Sequence, residues 1–371
     1  MKIFANHVYT GETVLEKQLI TCEKGHIVAI NQGNAKDADE VVEHIAPGFF
    51  DIQVNGGATY HFTAHPHEDC LSDIEETCLA DGTAFVLPTL ITSSMDNILM
   101  GIESVKNYKK KHPQSGILGM HLEGPFINPV KRGAHLLKYI RKPERALIEE
   151  IIKYGKDTIL QMTLAPEVFD QDMLALLQDS GIALAIGHTN ASFEEANRAF
   201  DQGVKQVTHL FNAMSPFQHR SPGVVGAVLA DERVYAPIVL DGRHVDFAAA
   251  AIAYKLKRDK FFLISDALFL GKKKTHFQWE EFDATLKNDE YVNSEGNLAG
   301  ANISLMDAVQ NAIKHLGASI QEAIEMATRR PAEAVGLHHR IGKIAPGYPA
   351  RFTGFDAALQ HARVLYSKKP E

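Results

Sequence analysis

Four residues of this 371-residue chain could together carry a hydrolytic reaction: Glu123 in HLEGPF, His188 in GHT, His209 in THLFNAM and Asp266 in SDA. One carboxylate and two neutral imidazoles make a donor set that a divalent cation accepts with a position left for water. That ligand number suits catalytic zinc, and iron, manganese or cobalt accept it too. An aspartate beside such a site can take a proton from water and pass it to a leaving group. Taken singly, each residue reads as a hydrogen-bonded polar group at a strand mouth, or, for Asp266, as a helix cap. Their recurrence at the ends of successive apolar runs favours a site. The run ending in DIQVNGG differs. Alternation puts Gln53 and Asn55 on one strand face, where many metal hydrolases place two histidines. Amides are poor metal ligands, so the chain offers three strong donors and is expected to hold one cation.

The elements that must position these residues are legible. FFDIQV, AFVLPTL, GILGMHLE, TILQMTLAP, IALAIGHT, QVTHLF, APIVLDG and FFLISDA are of strand length and nearly all apolar, as parallel strands buried on both faces are. Helical patterns separate them. HEDCLSDIEETCLADG has one apolar face and stops at Gly82. SFEEANRAFDQG opens on a capping box, Ser192 to Glu195, and closes at Gly203. Eight strands alternating with helices predict an α/β fold of the TIM-like (β/α)8 barrel type, with its reactive groups at the C-terminal strand ends. No glycine-rich dinucleotide loop follows the first strand, which weighs against an open Rossmann sheet. The expected division is a barrel over residues 47–341 and a small β-sandwich domain built from 1–46 and 342–371. An insertion, KKKTHFQWEEFDATLKNDEYVNSEGNLAG, follows the eighth strand. Two helical stretches, ISLMDAVQNAIKHLG and SIQEAIEMATRRPAEAVG, come after it.

Composition excludes several roles. Net charge is −8 and the pI about 6.1, so nucleic-acid binding has no electrostatic footprint. No apolar run reaches the ~18 residues of a membrane span, and MKIFANHVYTG lacks the apolar core of a signal peptide. Cys22, Cys70 and Cys78, with no CxxC among them, fit a reducing cytoplasm. Cys78 recurs with Leu71 and Ile74 at helical spacing and is expected in the core, and Phe211 and Met214 are expected to pack beside the site. The basic runs KNYKKKHPQ and GKKKTH read as solvated surface. His61, His65 and His67 lie past the first strand end and read as solvent-facing rather than as a second metal cluster. Trp279, in the insertion, is either a stacking residue for sugar or a partner chain, or a local anchor.

The motifs HLEGPFIN, GHTNAS, THLFNAM, HRSPG, DGRHV, ISDA and LAG, in this order, resemble the N-acetylglucosamine-6-phosphate deacetylases of the amidohydrolase superfamily, over essentially the whole chain. The resemblance implies hydrolysis of the acetamide of N-acetylglucosamine 6-phosphate to glucosamine 6-phosphate and acetate. It places the metal on Glu123, His188 and His209 and the acid/base on Asp266. It also implies a single metal, because Gln53 and Asn55 stand where other members carry His-x-His. It gives His135 a part in stabilising the oxyanion. Sugar contacts fall on Ala134, His135, Asn212 and Ala213. Phosphate contacts fall on Arg220 and His244, with Asp241, Gly242 and Arg243 in the same substrate loop, and Leu298, Ala299 and Gly300 lie near the substrate. A homodimer is implied, in which Arg220 reaches the neighbouring chain's site. Two stretches depart from the family pattern, LFLGKKK after ISDA and PARFTGFD near the C-terminus. The galactosamine epimer and other amide substrates stay open at this point. A catalytically dead relative is disfavoured by the intact Glu123, His188, His209 and Asp266.

Overall fold

The computed structural model describes residues 1–271 and 274–366; Lys272 and Lys273 of the GKKKTH run and the last five residues lie outside them. The strands in chain order are β1 (Lys2–Tyr9), β2 (Val14–Glu23), β3 (His26–Gln32), β4 (Glu40–Pro47), β5 (Phe49–Val54), β6 (Thr83–Ile91), β7 (Met120–Glu123), β8 (Ile159–Leu164) and β9 (Ala183–Ile186). They continue as β10 (Gln206–Val207), β11 (Ala236–Val239), β12 (Phe261–Ile264), β13 (His276–Trp279), β14 (Phe282–Lys287), β15 (Glu290–Val292), β16 (Arg351–Phe355) and β17 (Arg363–Tyr366).

Strands β5 to β10 pair in chain order, all parallel, and β11 pairs parallel with β12. Parallel bridges Gln206–Tyr235 and Val54–Ala267 join the two sheets on both sides, closing an eight-stranded barrel. The apolar runs are buried on both faces, by the barrel interior and by the helices outside, which is why they are continuous rather than alternating. The helices obey local rules. Ser192 and Glu195 form the reciprocal capping box of the helix Phe193–Asp201, and Cys78 is buried in the core under the helix Glu68–Ala80.

Both ends of the chain meet in one six-stranded sheet, ordered β17-β16-β4-β1-β2-β3. Its core holds Ile3, Val8, Ile20, Ile45 and Phe352. The sheet is tied to the barrel through β16. Thr353 Oγ1 accepts from Phe49 N at 2.9 Å and donates to Gly82 O at 2.8 Å. Arg351 reaches Ala84 O at 2.7 Å, Gln114 O at 2.9 Å and Glu75 at 3.3 Å.

The insertion folds as a three-stranded antiparallel sheet, β13-β14-β15. Its apolar side packs Phe277, Phe282 and Tyr291 with Leu268 and Phe269, the residues just past Asp266. This corrects the reading of His61. His65 and His67 are exposed, but His61 is 1% exposed, and its ring stacks on Phe277 at 4.9 Å. The insertion, remote in sequence, covers it. Trp279 is a local anchor, stacked on Tyr139 at 6.2 Å. Ion pairs Arg132–Glu295, Lys138–Glu280, Lys138–Glu281 and Arg243–Glu290, each 2.8–2.9 Å, hold the insertion to the loops around the barrel mouth.

Arg351 lies nearly buried against Glu75, so Arg351→Met removes that carboxylate's cation and leaves it to the neutral donors Tyr108 Oη, Ser115 Oγ and Gly116 N. The expected cost is about 3–5 kcal/mol, seen as a fall of several degrees in the thermal midpoint. An unchanged midpoint would show that the sheet and the barrel do not depend on this tie.

Candidate active site

The C-terminal strand ends bring three donor atoms to one point. His188 Nε2 lies 3.1 Å from Glu123 Oε1, His209 Nε2 lies 3.0 Å from the same oxygen, and the two nitrogens are 3.2 Å apart. His188 Nδ1 donates to Lys131 O at 2.9 Å. That fixes the proton of a neutral ring on Nδ1 and leaves Nε2 as a bare lone pair facing a carboxylate oxygen. Two acceptors this close repel unless a proton or a cation lies between them. One proton cannot serve three such edges at once. A cation about 2.0–2.1 Å from each atom would, since tetrahedral bonds of that length set ligands ~3.3 Å apart. The residues therefore fit a divalent metal. His135 stands beside them, offering with Glu123 and His188 atoms within 4.8 Å of one another. The contacts of 3.0–3.2 Å, however, run among Glu123, His188 and His209, which form the tight set, while His135 Nδ1 is engaged by Thr92 Oγ1 at 2.8 Å.

The backbone holds these groups under strain. His188, His209 and Asp266 have φ of 48°, 32° and 47°, in the left-handed region that non-glycine residues rarely adopt. Each turns inward as its strand ends. Gly124 has φ 99°, and an added Cβ there would run into Thr92 Oγ1, so only glycine lets the chain leave Glu123 this way.

The role of Gln53 and Asn55 is now plain. Gln53 Nε2 lies 3.3 Å from both oxygens of Glu123 and 3.1 Å from Asp266 Oδ1, and Asn55 Nδ2 donates to Asp266 Oδ1 at 2.9 Å. The amides act as donors that hold two carboxylates side by side in a buried place. Below them Asp51, whose carboxyl burial pushes up to about 7, accepts from the Gln53 and Ser265 amides and ties the first strand to the last.

The electrostatics divide the two carboxylates. Burial alone would push Glu123 up, but positive charge at its His188 and His209 contacts, carried by ring protons while no cation is bound, holds it well below the usual range. Asp266 is raised by burial and by the charge of Glu123, against the pull of His209, His244 and Asn55. His135 is held neutral, far below the ordinary histidine range, by burial and by His188. One acid is thus kept ionised while its neighbour is poised to exchange a proton, a separation typical of acid/base sites.

A cavity of about 630 Å³ opens over this cluster. Its wall includes His244, Ala134, His135, Asn212, Ala213 and the segment Leu298–Gly300, together with Glu123, His188, His209 and Asp266. Asp241 does not line it; its carboxylate takes His244 Nδ1 at 2.6 Å and the amides of Arg243 and His244. Gly242, at φ 73°, makes the turn between them. Arg243 directs its guanidinium to Glu290 and Asn288 O of the insertion. Arg220 is exposed and lies outside the cavity wall of its own chain. Met214 is buried and Phe211 packs against the core. Sequence reasoning missed Thr92, Asp51, Arg132 and His61. A threonine or aspartate in an apolar strand carries no mark of such a role, and His61 was hidden by the distance of the segment that covers it.

The chain belongs to the amidohydrolase family, whose model matches residues 44–370. Among individual proteins, it is 32% identical to an N-acetylglucosamine-6-phosphate deacetylase of Haemophilus influenzae, over 88% of this chain and 86% of that protein. It is 33% identical to an N-acetylgalactosamine-6-phosphate deacetylase of a Shewanella species, over 84% of this chain and 79% of that one. The crystal structure of N-acetylglucosamine-6-phosphate deacetylase from Pasteurella multocida superposes with a TM-score of 0.92 at 30% identity, covering 100% of this chain and 99% of that one.

Gln53→Leu removes the donor shared by Glu123 and Asp266. The expected loss is about 10–100-fold in metal affinity or turnover, the scale seen for groups that orient metal ligands. It is read by competition with a chromogenic chelator and by kcat. Native values of both would make the amide a spectator.

Proposed function

We propose that this chain hydrolyses the acetamide of N-acetylglucosamine 6-phosphate to glucosamine 6-phosphate and acetate, with one divalent cation per chain, zinc by ligand type, held by Glu123, His188 and His209. The observation that carries the reading is the meeting of three lone pairs on Glu123 Oε1 beside a proton-exchanging Asp266, at the floor of an open cavity. The activities of the similar proteins supply the substrate. The second reading is the same chemistry on the galactosamine epimer, favoured by the likeness to the Shewanella enzyme.

Bound there, the cation would lower the pKa of a water and polarise the acyl oxygen. Asp266 takes the proton of the attacking water and returns it to the sugar nitrogen as the C–N bond breaks, leaving acetate. Asn55 and Gln53 keep its carboxylate aimed during both transfers. The Thr92 hydroxyl is 2.8 Å from His135 Nδ1 and 3.3 Å from Glu123 O. When the shorter contact takes the hydroxyl proton, His135 carries its own proton on Nε2, a donor for the acyl oxygen as negative charge builds. His244, backed by Asp241 and lining the same cavity, offers a donor to the phosphate. Arg220 sits on an exposed loop with Phe217, which is 61% exposed; this supports a homodimer in which Arg220 serves the second copy's phosphate site. The three cysteines, buried and unbridged, support a cytoplasmic setting.

Acetate release is the direct test, on N-acetylglucosamine 6-phosphate, its galactosamine epimer and the free sugar. Turnover is expected on a phosphorylated sugar and should be far weaker on the free one; no release from either phosphosugar would end this reading. Asp266→Asn keeps shape and loses the shuttle, so kcat should fall about 10²–10⁴-fold with metal content unchanged. Near-normal turnover would remove Asp266 from the mechanism.

A further inference from the structure

Among the histidines that line the cavity, His61 is the one that the reaction above does not use. It follows β5 in the loop after Asn55, held there by a bridge between Gly56 and His61 and by Phe62 N donating to Asn55 O at 2.8 Å. His61 is among the residues that line the cavity, together with Asn55, Asp266, Leu268 and Phe282. It is 1% exposed. Among the described residues neither ring nitrogen finds a hydrogen-bond partner, and Nδ1 is fully buried.

The surroundings are aromatic. The ring stacks on Phe277 at 4.9 Å, with Phe269 at 6.0 Å and Phe282 at 6.2 Å edge-on. Burial, aided by His65, pushes the imidazole down to about 3, so it is neutral at any working pH. A neutral imidazole presents one N–H and one lone pair. Left unmatched inside a protein, both cost free energy. A phenylalanine would fill the same stacked position without that cost. A histidine here makes physical sense when something in the cavity meets it.

We propose that His61 is a substrate-binding residue that hydrogen-bonds a hydroxyl group of the bound sugar. This rests on the hexosamine-phosphate reading above. Of the polar groups on such a substrate, the acyl oxygen belongs to the cluster at Glu123, His188, His209 and His135. The phosphate calls for charged or dipole-backed donors, such as His244 backed by Asp241. The hydroxyls remain. With Nδ1 buried, Nε2 is the nitrogen that can meet a ligand, and a hydroxyl, which both donates and accepts, matches it in either tautomer of the neutral ring.

The test is acetate-release kinetics of wild type, His61→Phe and His61→Gln on the phosphosugar and its singly deoxygenated analogues. His61→Phe keeps the stack and should raise KM about 2–12-fold, the yield of one neutral hydrogen bond, with kcat little changed and the thermal midpoint not lowered. His61→Gln should restore most of the affinity. One deoxy analogue should lose that same factor in wild type and nothing further in His61→Phe. His61→Met carries the same comparison in a second apolar side chain, should the ring variant not fold. Apolar variants with wild-type KM, or an equal response to every analogue in wild type and variant, would overturn the assignment while the function stands. A wild type that releases no acetate overturns both.

Discussion

Glu123 Oε1 is the atom on which the rest of the site depends. Two imidazole nitrogens lie 3.0 and 3.1 Å from it, and one of them has its proton committed elsewhere, to Lys131 O. Such a cluster of lone pairs is repulsive in a buried setting unless positive charge occupies its centre. The protein builds it all the same, and at three strand ends it accepts left-handed backbone to do so. Strain of this kind persists only where the surroundings over-determine it. The closed barrel supplies that rigidity, with its strands buried on both faces and its ring completed by single bridges at Gln206 and Val54.

The neighbours of that atom follow from the same constraint. A second buried carboxylate, Asp266, beside Glu123 would be strongly disfavoured on its own. The Gln53 amide lies between them and donates to both, and Asn55 adds a second donor to Asp266. Imidazoles in those two places would offer lone pairs of their own to a second cation. Amides there stabilise the two carboxylates directly, which is the chemical sense of a site built for one ion. Thr92 extends the pattern. Its hydroxyl lies 2.8 Å from His135 Nδ1 and 3.3 Å from Glu123 O, and with its one proton given to the shorter contact it sets the tautomer of the residue that presents the donor for the acyl oxygen.

Much of the barrel was legible because its strands are buried on both faces, which writes an apolar run into the sequence. The polar residues ending those runs, Glu123, His188, His209 and Asp266, stand out against it. β10 was harder to see, since its ladder is only Gln206–Val207 and the chain turns inward at once. The fate of Gln53 was half visible. Its type argued against metal ligation, but nothing local showed that its NH₂ group would meet two carboxylates from distant strands. His61 was misread because burial was judged from its own loop, and the surface that buries it comes from β13 and β14. Arg243 is similar: DGRHV gives no sign that the guanidinium turns to Glu290 of the insertion. In each of these three the missing information is a contact between segments far apart in the chain, made by other barrel strands for Gln53 and by the insertion for His61 and Arg243.

The most direct test of the central interaction is a crystal structure of the zinc-loaded protein with anomalous data collected across the zinc edge. A single peak is expected per chain, ~2.0–2.2 Å from Glu123 Oε1, His188 Nε2 and His209 Nε2, with Gln53 and Asn55 outside bonding distance. Two peaks of comparable height, or one peak bonded to His135 in place of His209, would contradict it.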